Sequence, residues 1–304
     1  MQLKSTIMAV LVSLLIGGQA IASEVSGARF LLDKVSARSA AISAGVGESG
    51  GADVLCWNPA GIYEQEQMML ELTHYAALAQ DNNIEQLSLV YPKLLKGNVG
   101  AKFYYERLDN LTKIYQGKVL SEGEYTNMYL DVVYSYKIKE MLGIGVGIKW
   151  ISSKLLDYEA QGIAVDIGAS AKLWKMINVG LVVENLGNLS AYYQEEDELP
   201  LQISLGISGE KSISKLNKIK ILIDASQEIV GEQAMHIRVG GEYEILKIFK
   251  LRLGYRIEAE ERDNLSIGLG VKYQGIGLDY AYQPHEELGV MHRISASYND
   301  CLFN

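Results

Sequence analysis

A chain of 304 residues with a net charge of −9 and no basic stripe offers little to a phosphate backbone, which excludes nucleic acid as its main partner. Hydrophobic residues make up 48% of it, near the usual soluble value, so bulk composition alone separates neither soluble from membrane-bound. Thirty Gly and 19 Tyr against four Pro and four Phe point to sheet packed closely on sheet, with aromatic residues at its boundaries.

Residues 1–22 read as a cleaved export signal. Lys4 supplies the charge, Ile7 to Ile16 the apolar core, and Ala20-Ile21-Ala22 the small-residue cleavage site before Ser23. The apolar run is too short to span a bilayer, and no later one approaches the roughly 18 residues of a spanning helix. Export without a spanning helix leaves a soluble protein or a β-barrel.

The next unit, residues 23–64, contains the one long stretch that reads neither as a strand nor as a strand connection, Gly45 to Ile62. Its glycines permit close backbone approach, Asn58-Pro59 initiates a turn, and Trp57 anchors that turn. Export also permits a disulfide between Cys56 and Cys301; two unpaired buried thiols are the alternative.

From residue 65 to 304 the dominant signal is alternation with period two. Leu265, Ile267, Leu269, Val271 and Tyr273 share one face, and Ser266, Gly268, Gly270 and Lys272 the other. The same split recurs at 201–207, 249–257 and 163–171. About fourteen such segments, each about ten residues long, suit tilted strands crossing a bilayer, and an even number suits a closed antiparallel barrel. They begin near residues 66, 84, 96, 124, 143, 160, 177, 200, 217, 234, 249, 264, 276 and 289.

The connections sort by parity. Even-numbered ones are mostly short and carry lysines (Lys96, Lys139, Lys175, Lys215, Lys247), whereas odd-numbered ones are mostly longer and acidic. The latter include 109–124, 195–198, 258–263 and Glu286-Glu287. A soluble sandwich has no reason to sort its hairpins this way, whereas a membrane barrel places alternate loops in different compartments. Tyrosine pairs at strand ends (Tyr134 and Tyr136, Tyr192 and Tyr193, Tyr280 and Tyr282) fit rings at headgroup level.

Nothing reads as catalytic. His74, His236, His285 and His292 lack metal-ligand spacing, and the Gly-x-Gly pairs at Gly145 and Gly268 sit on strands as small inward residues. Neither a cofactor nor an enzymatic activity is expected. Charges on the polar face comprise Lys102, Asp131, Asp166, Glu184, Asp224, Arg238, Glu242, Arg252 and Arg256. They either form a selective lumen or pair with one another and with the N-terminal unit; burial favours pairing.

Three short N-terminal stretches, Phe30-Leu31-Leu32, Ala37-Arg38-Ser39-Ala40-Ala41 and Cys56-Trp57-Asn58-Pro59-Ala60-Gly61, together resemble the signature of the PorV/PorQ outer-membrane proteins. Those are relatives of the FadL-type long-chain fatty-acid transporters, which carry a similar Asn-Pro-Ala in a luminal hatch. Ala164-Val165-Asp166-Ile167-Gly168 and Gly180 to Gly187 resemble the same family, as do Arg252 to Arg256 and His292 to Ser295. The chain departs from the pattern at Ser43, Ala44 and Cys56 and in its final residues.

The resemblance implies an all-β fold: a transmembrane antiparallel barrel of about fourteen strands, with residues 23–64 as a plug built on Trp57, Asn58, Pro59, Ala60 and Gly61. It implies location in the bacterial outer membrane, contact with outer-membrane lipid, and one of two roles. One is passive transport or binding of a hydrophobic small molecule, through the barrel and a lateral opening. The other is a non-transporting partnership with secretion-system proteins of the type IX kind. A soluble exported β-sandwich that binds a ligand is the reading outside the family.

Overall fold

A computed structural model describes residues 26–77, 82–115, 118–192, 197–230, 235–257, 265–285 and 289–300. The export signal, the acidic residues at 195–196, 258–263 and 286–287, Tyr193 and Cys301 lie outside the described residues.

Fourteen antiparallel strands close into one barrel. They are β1 (Met69–Ala77), β2 (Asn82–Leu94), β3 (Gly97–Tyr115), β4 (Lys118–Lys139), β5 (Leu142–Leu155), β6 (Tyr158–Trp174) and β7 (Ile177–Leu189) in the first half. The second half comprises β9 (Gln202–Ser212), β10 (Lys218–Glu228), β11 (Met235–Ile245), β12 (Phe249–Ile257), β13 (Leu265–Tyr273), β14 (Ile276–His285) and β15 (Gly289–Asn299). A two-residue strand, β8 (Asp197–Glu198), is appended to the end of β7. Sequential strands pair, β1 pairs with β15, and the β6–β7 and β7–β9 ladders complete the ring. That closure excludes the two-sheet sandwich.

The period-two pattern sets which face points where, because a strand alternates its side chains. On β13, Leu269 is 53% exposed and Ser266 1%. On β5, Ile144, Val146, Ile148 and Trp150 face out while Gly143, Gly145 and Lys149 face in. Repeated round the ring, this gives an apolar exterior and a small or polar interior, as a lipid-facing barrel requires.

Two expectations are corrected. Strands run from 9 to 22 residues rather than about ten, and 109–124 is no acidic loop. It is the far end of the β3–β4 hairpin, paired from Leu108↔Tyr125 to Tyr115↔Lys118 across two bulges. Thr112, Ile114, Tyr115 and Val119 are strong strand formers, so the ladder outruns its neighbours, with β3 ending at Tyr115 and β4 beginning at Lys118. The β5–β6 connection is likewise two residues, 156–157. Parity therefore holds for the short even-numbered turns, but not for every odd-numbered one.

The barrel is not hollow. Residues 26–67 lie against the inward faces of the strands as a helix α1 (Ala37–Ile42) and three 3-10 turns, Arg29–Leu32, Asp53–Cys56 and Pro59–Ile62. Towards the end bearing the odd-numbered connections, Leu31 and Val35 join a buried apolar cluster with Tyr75, Tyr104, Tyr129 and Ile151. Phe30 stacks there on Tyr104, ring centroids 5.7 Å apart, and Tyr104 on Tyr129 at 4.9 Å.

Candidate functional site in the barrel interior

The stretch around Asn58 is fixed by its own chemistry. Pro59 opens the Pro59–Ile62 turn and Asn58 caps it, its Oδ1 accepting from the Ala60 N–H at 2.9 Å. The Asn58 Nδ2 then donates twice, to Val46 O and, on the β6 wall, to Ala169 O, both at 3.1 Å. The Gly61 N–H donates to Asn58 O at 2.9 Å. Trp57 is buried and donates its indole N–H to Ser39 Oγ at 2.9 Å. One asparagine thus ties its own turn, the neighbouring Gly45–Gly47 backbone and a strand.

Replacing Asn58 with Ala should destabilise the docked segment by about 2–3 kcal/mol, since it orphans buried partners. Hydrogen exchange at 45–61 would register this, and unchanged protection would contradict it.

Close approach is possible because the wall is bare where this turn touches it. A Cβ on Gly168 would overlap Asn58 Oδ1, and one on Gly180 would overlap the carbonyl oxygen of Val46. The inward Gly145 and Gly268 meet Pro59–Ala60 and Ala41 in the same way.

The remaining ties run right round the wall. Ser208 donates to Gly47 O at 2.8 Å, Ser266 to Ala41 O at 3.0 Å and Gln283 to Ala40 O at 3.2 Å. Asn98 donates to Ile62 O at 2.6 Å, and Arg293 to Lys34 O at 2.7 Å.

The inward charges are paired, several of them with the N-terminal segment. Lys102 reaches Leu55 O at 3.0 Å and Asp131 at 3.6 Å. Asp166 bonds Lys149 at 2.7 Å, Glu184 bonds Lys34 at 2.8 Å, and Arg238 donates to Ser226 at 3.0 Å. Asp224 accepts the N–H groups of Gly45 at 2.6 Å and Val46 at 3.0 Å. Arg256 stands opposite Arg238 in the β11–β12 ladder.

The densest node has Arg38 at its centre. Arg38 donates to Glu48 at 2.6 and 3.0 Å, to Asp53 at 2.6 Å and to Glu242 at 3.1 Å. Arg252 bridges Glu242 at 2.7 Å to Asp279 at 2.6 Å, and Lys220 meets Glu48 at 2.6 Å. Three cations thus face four carboxylates. The node borders a cavity of about 370 Å³ whose lining includes Glu71, Lys218, Lys250 and Asn299, so the space beside the segment is polar, not greasy.

Sequence reasoning missed Arg38, Glu48 and Asp53 as members of this node. Their signal was present: three charges inside a Gly- and Ala-rich stretch assigned to a barrel interior require counter-charges. Cys56 is a buried free thiol whose Sγ accepts from Gln86 Nε2 at 3.3 Å. Burial pushes that thiol up from its ordinary range.

Burial would also raise Glu48, but Arg38 and Lys220 outweigh it and hold the carboxyl down at about 2. A carboxylate depressed by folding stabilises the fold above its unfolded pKa, near 4.5, and loses that contribution as pH falls towards 2. Acidification from pH 5 to pH 3 should therefore loosen residues 36–66, read by hydrogen exchange corrected for intrinsic rates. Glu48→Gln should flatten the dependence; an equally steep one in that variant would contradict it.

Fold and interior together define a closed fourteen-strand barrel whose inner wall binds its own N-terminal segment. No family model matches the sequence, and no curated protein does. Solved structures do match in fold. The toluene transporter TbuX of Ralstonia pickettii aligns over 89% of this chain and 98% of its own, with TM-score 0.58 and 13% identity. TodX, the Pseudomonas putida toluene transporter, aligns over 87% and 97% with TM-score 0.61 and 13% identity. A Pseudomonas aeruginosa FadL homologue aligns over 87% and 98% with TM-score 0.60 and 11% identity. At such identities the likeness concerns the fold.

Proposed function

We propose that this chain is an outer-membrane barrel that lets hydrophobic small molecules pass without energy input, with residues 23–64 acting as its plug. The observation that carries the reading is the apolar exterior combined with a lumen occupied by a turn centred on Trp57, Asn58, Pro59, Ala60 and Gly61. The barrels named above, two of them toluene transporters, support it through their fold.

A route to the lipid phase is supported by a break in the wall. The β7–β9 ladder ends at Glu184↔Gln202, while β7 continues to Leu189 paired only with β6 and β8. Asn185 there has φ 65°, and its N–H turns to Asp166 Oδ1 at 2.8 Å instead of to a ladder partner. A cavity of about 480 Å³ lies at this gap, lined partly by Leu186, Gly187, Leu199 and Leu201.

One observation favours the second reading, an outer-membrane partner in protein secretion that does not conduct: the segment is tied down on every side, and the cavity beside it is polar. Purification from outer membrane followed by mass spectrometry separates the two readings. A co-purifying hydrophobic small molecule supports transport; a secreted protein or secretion component in its place overturns it.

A further inference from the structure

The short turns share a feature that neither lining the lumen nor closing the barrel explains. All six even-numbered connections, 95–96, 140–141, 175–176, 213–217, 246–248 and 274–275, lie at one rim, where β1 begins and β15 ends. Turn tips that project into water are ordinarily polar. At five of the six, all but the Gln-Gly turn at 274–275, large apolar side chains sit at or beside the tips with a lysine next to them. Leu95 is 77% exposed next to Lys96, and Trp174 and Met176, at 54% and 55%, flank Lys175. Ile138 and Met141 bracket Lys139, Ile213 and Leu216 bracket Lys215, and Leu246 precedes Lys247.

Backbone geometry makes the choice more pointed. At two turns the chain places the same Leu-Lys pair in the left-handed region: Leu95 and Lys96 at φ 53° and 68°, Leu246 and Lys247 at φ 56° and 60°. Leu95-Lys96 is a two-residue hairpin loop, which with positive φ at both positions ordinarily takes Asn-Gly. Leu246-Lys247 are the first two residues of a three-residue loop, where positive φ likewise favours Asn or Gly. Leu and Lys are strained there, so something other than turn formation favours them. Lys96, Lys139, Lys175, Lys215 and Lys247 are all exposed, and none is ion-paired with a carboxylate among the described residues. Basic residues set back from the tips at the same rim are paired, Lys218 with Glu210 at 2.9 Å and Lys137 and Lys172 with Glu64 at 3.9 and 3.7 Å. Arg107 and Lys154 are likewise paired with Glu124 at the opposite rim, so the five tip lysines stand apart.

We propose that the short-turn rim is a binding girdle for anionic phospholipid headgroups, which seats this end of the barrel at a bilayer surface. The apolar tips continue the lipid-facing band into the interfacial layer, and each lysine meets a phosphate whose charge no protein carboxylate cancels. An acidic protein would match the lysines but leave the apolar tips in water, so a lipid headgroup is the occupant that satisfies both. The proposal needs the barrel to lie in a membrane and does not depend on what the barrel transports.

The test reconstitutes the full chain in nanodiscs holding equal amounts of phosphatidylglycerol and phosphatidylcholine with identical acyl chains. Lipid retained after gentle detergent extraction is counted by native mass spectrometry. At low salt a lysine near an anionic surface favours it by about fivefold, so the wild type should retain phosphatidylglycerol at least fivefold over phosphatidylcholine. Replacing the five lysines with Gln should bring the ratio close to one, while Lys154→Gln on the opposite rim leaves it unchanged.

A second set changes both Leu-Lys turns to Asn-Gly (L95N, K96G, L246N, K247G). It should raise the melting temperature while lowering the ratio, which separates lipid binding from folding. Equal retention of the two lipids by the wild type, or an unaltered ratio in the lysine and turn variants, would overturn the proposal. So would capture of an acidic protein at this rim with no lipid preference.

Discussion

Replacing Arg38 with Met should release the N-terminal segment from the wall around α1. Arg38 alone contacts Glu48, Asp53 and Glu242, each within 3.1 Å. Without it, those three carboxylates are left with Lys220, Arg252 and Lys250, in a site where charges are poorly solvated. Breaking a buried ion pair from one side destabilises by about 3–5 kcal/mol, because the remaining charge stays buried and uncompensated.

The barrel itself should survive, since its ladders do not involve Arg38. The expected result is therefore specific: faster exchange and protease access across residues 36–66, with strand signals unchanged. A control that also removes the charge opposite, Arg38→Met with Glu48→Gln and Asp53→Asn, should recover part of the loss. If the single variant protected its segment as well as the wild type, the node would not be what holds it.

The second large effect comes from the smallest side chain. Gly180→Val on β7 places methyl groups where the Val46 carbonyl and the Asn58 amide already sit. The obstacle is backbone, which cannot rotate away as a flexible side-chain end would. The effect should reach or exceed the top of the roughly 1–3 kcal/mol range for overpacking. Because Gly180 pairs with Ser170 and Gly206 in an ordinary ladder, valine itself suits the strand. Loss of the Asn58–Ala169 contact with an intact barrel is the prediction. A crystal structure with residues 45–61 unmoved would contradict it.

How much of this was legible in the sequence depends on range. The face of every residue on β13 followed from local alternation, because a membrane barrel has no other way to sort apolar from polar side chains. Strand starts were readable for the same reason: 249, 276 and 289 agree with β12, β14 and β15. The far ends of β3 and β4 were not, since pairing beyond the barrel wall obeys strand propensity rather than inside–outside alternation. Residues such as Glu122 and Glu124 looked like loop.

The Arg38 node was hidden for a different reason. Glu48 and Asp53 lie in the same segment as Arg38, but Glu242 and Lys220 come from β11 and β10, and only closure of the ring brings those to it. Asn58 was singled out by its proline and its glycines, but its bond to Ala169 across the lumen could not be read from them.

The central claim is that this barrel admits hydrophobic molecules past its own N-terminal segment. It is tested most directly by initial uptake rates in cells of a host lacking comparable barrels, with and without the protein in the outer membrane. An aromatic hydrocarbon, a long-chain fatty acid and a hydrophilic sugar serve as radiolabelled probes. The account predicts several-fold faster entry of at least one hydrophobic probe and an unchanged rate for the sugar. Equal rates for both hydrophobic probes with and without the folded barrel, or a matching rise for the sugar, would contradict it.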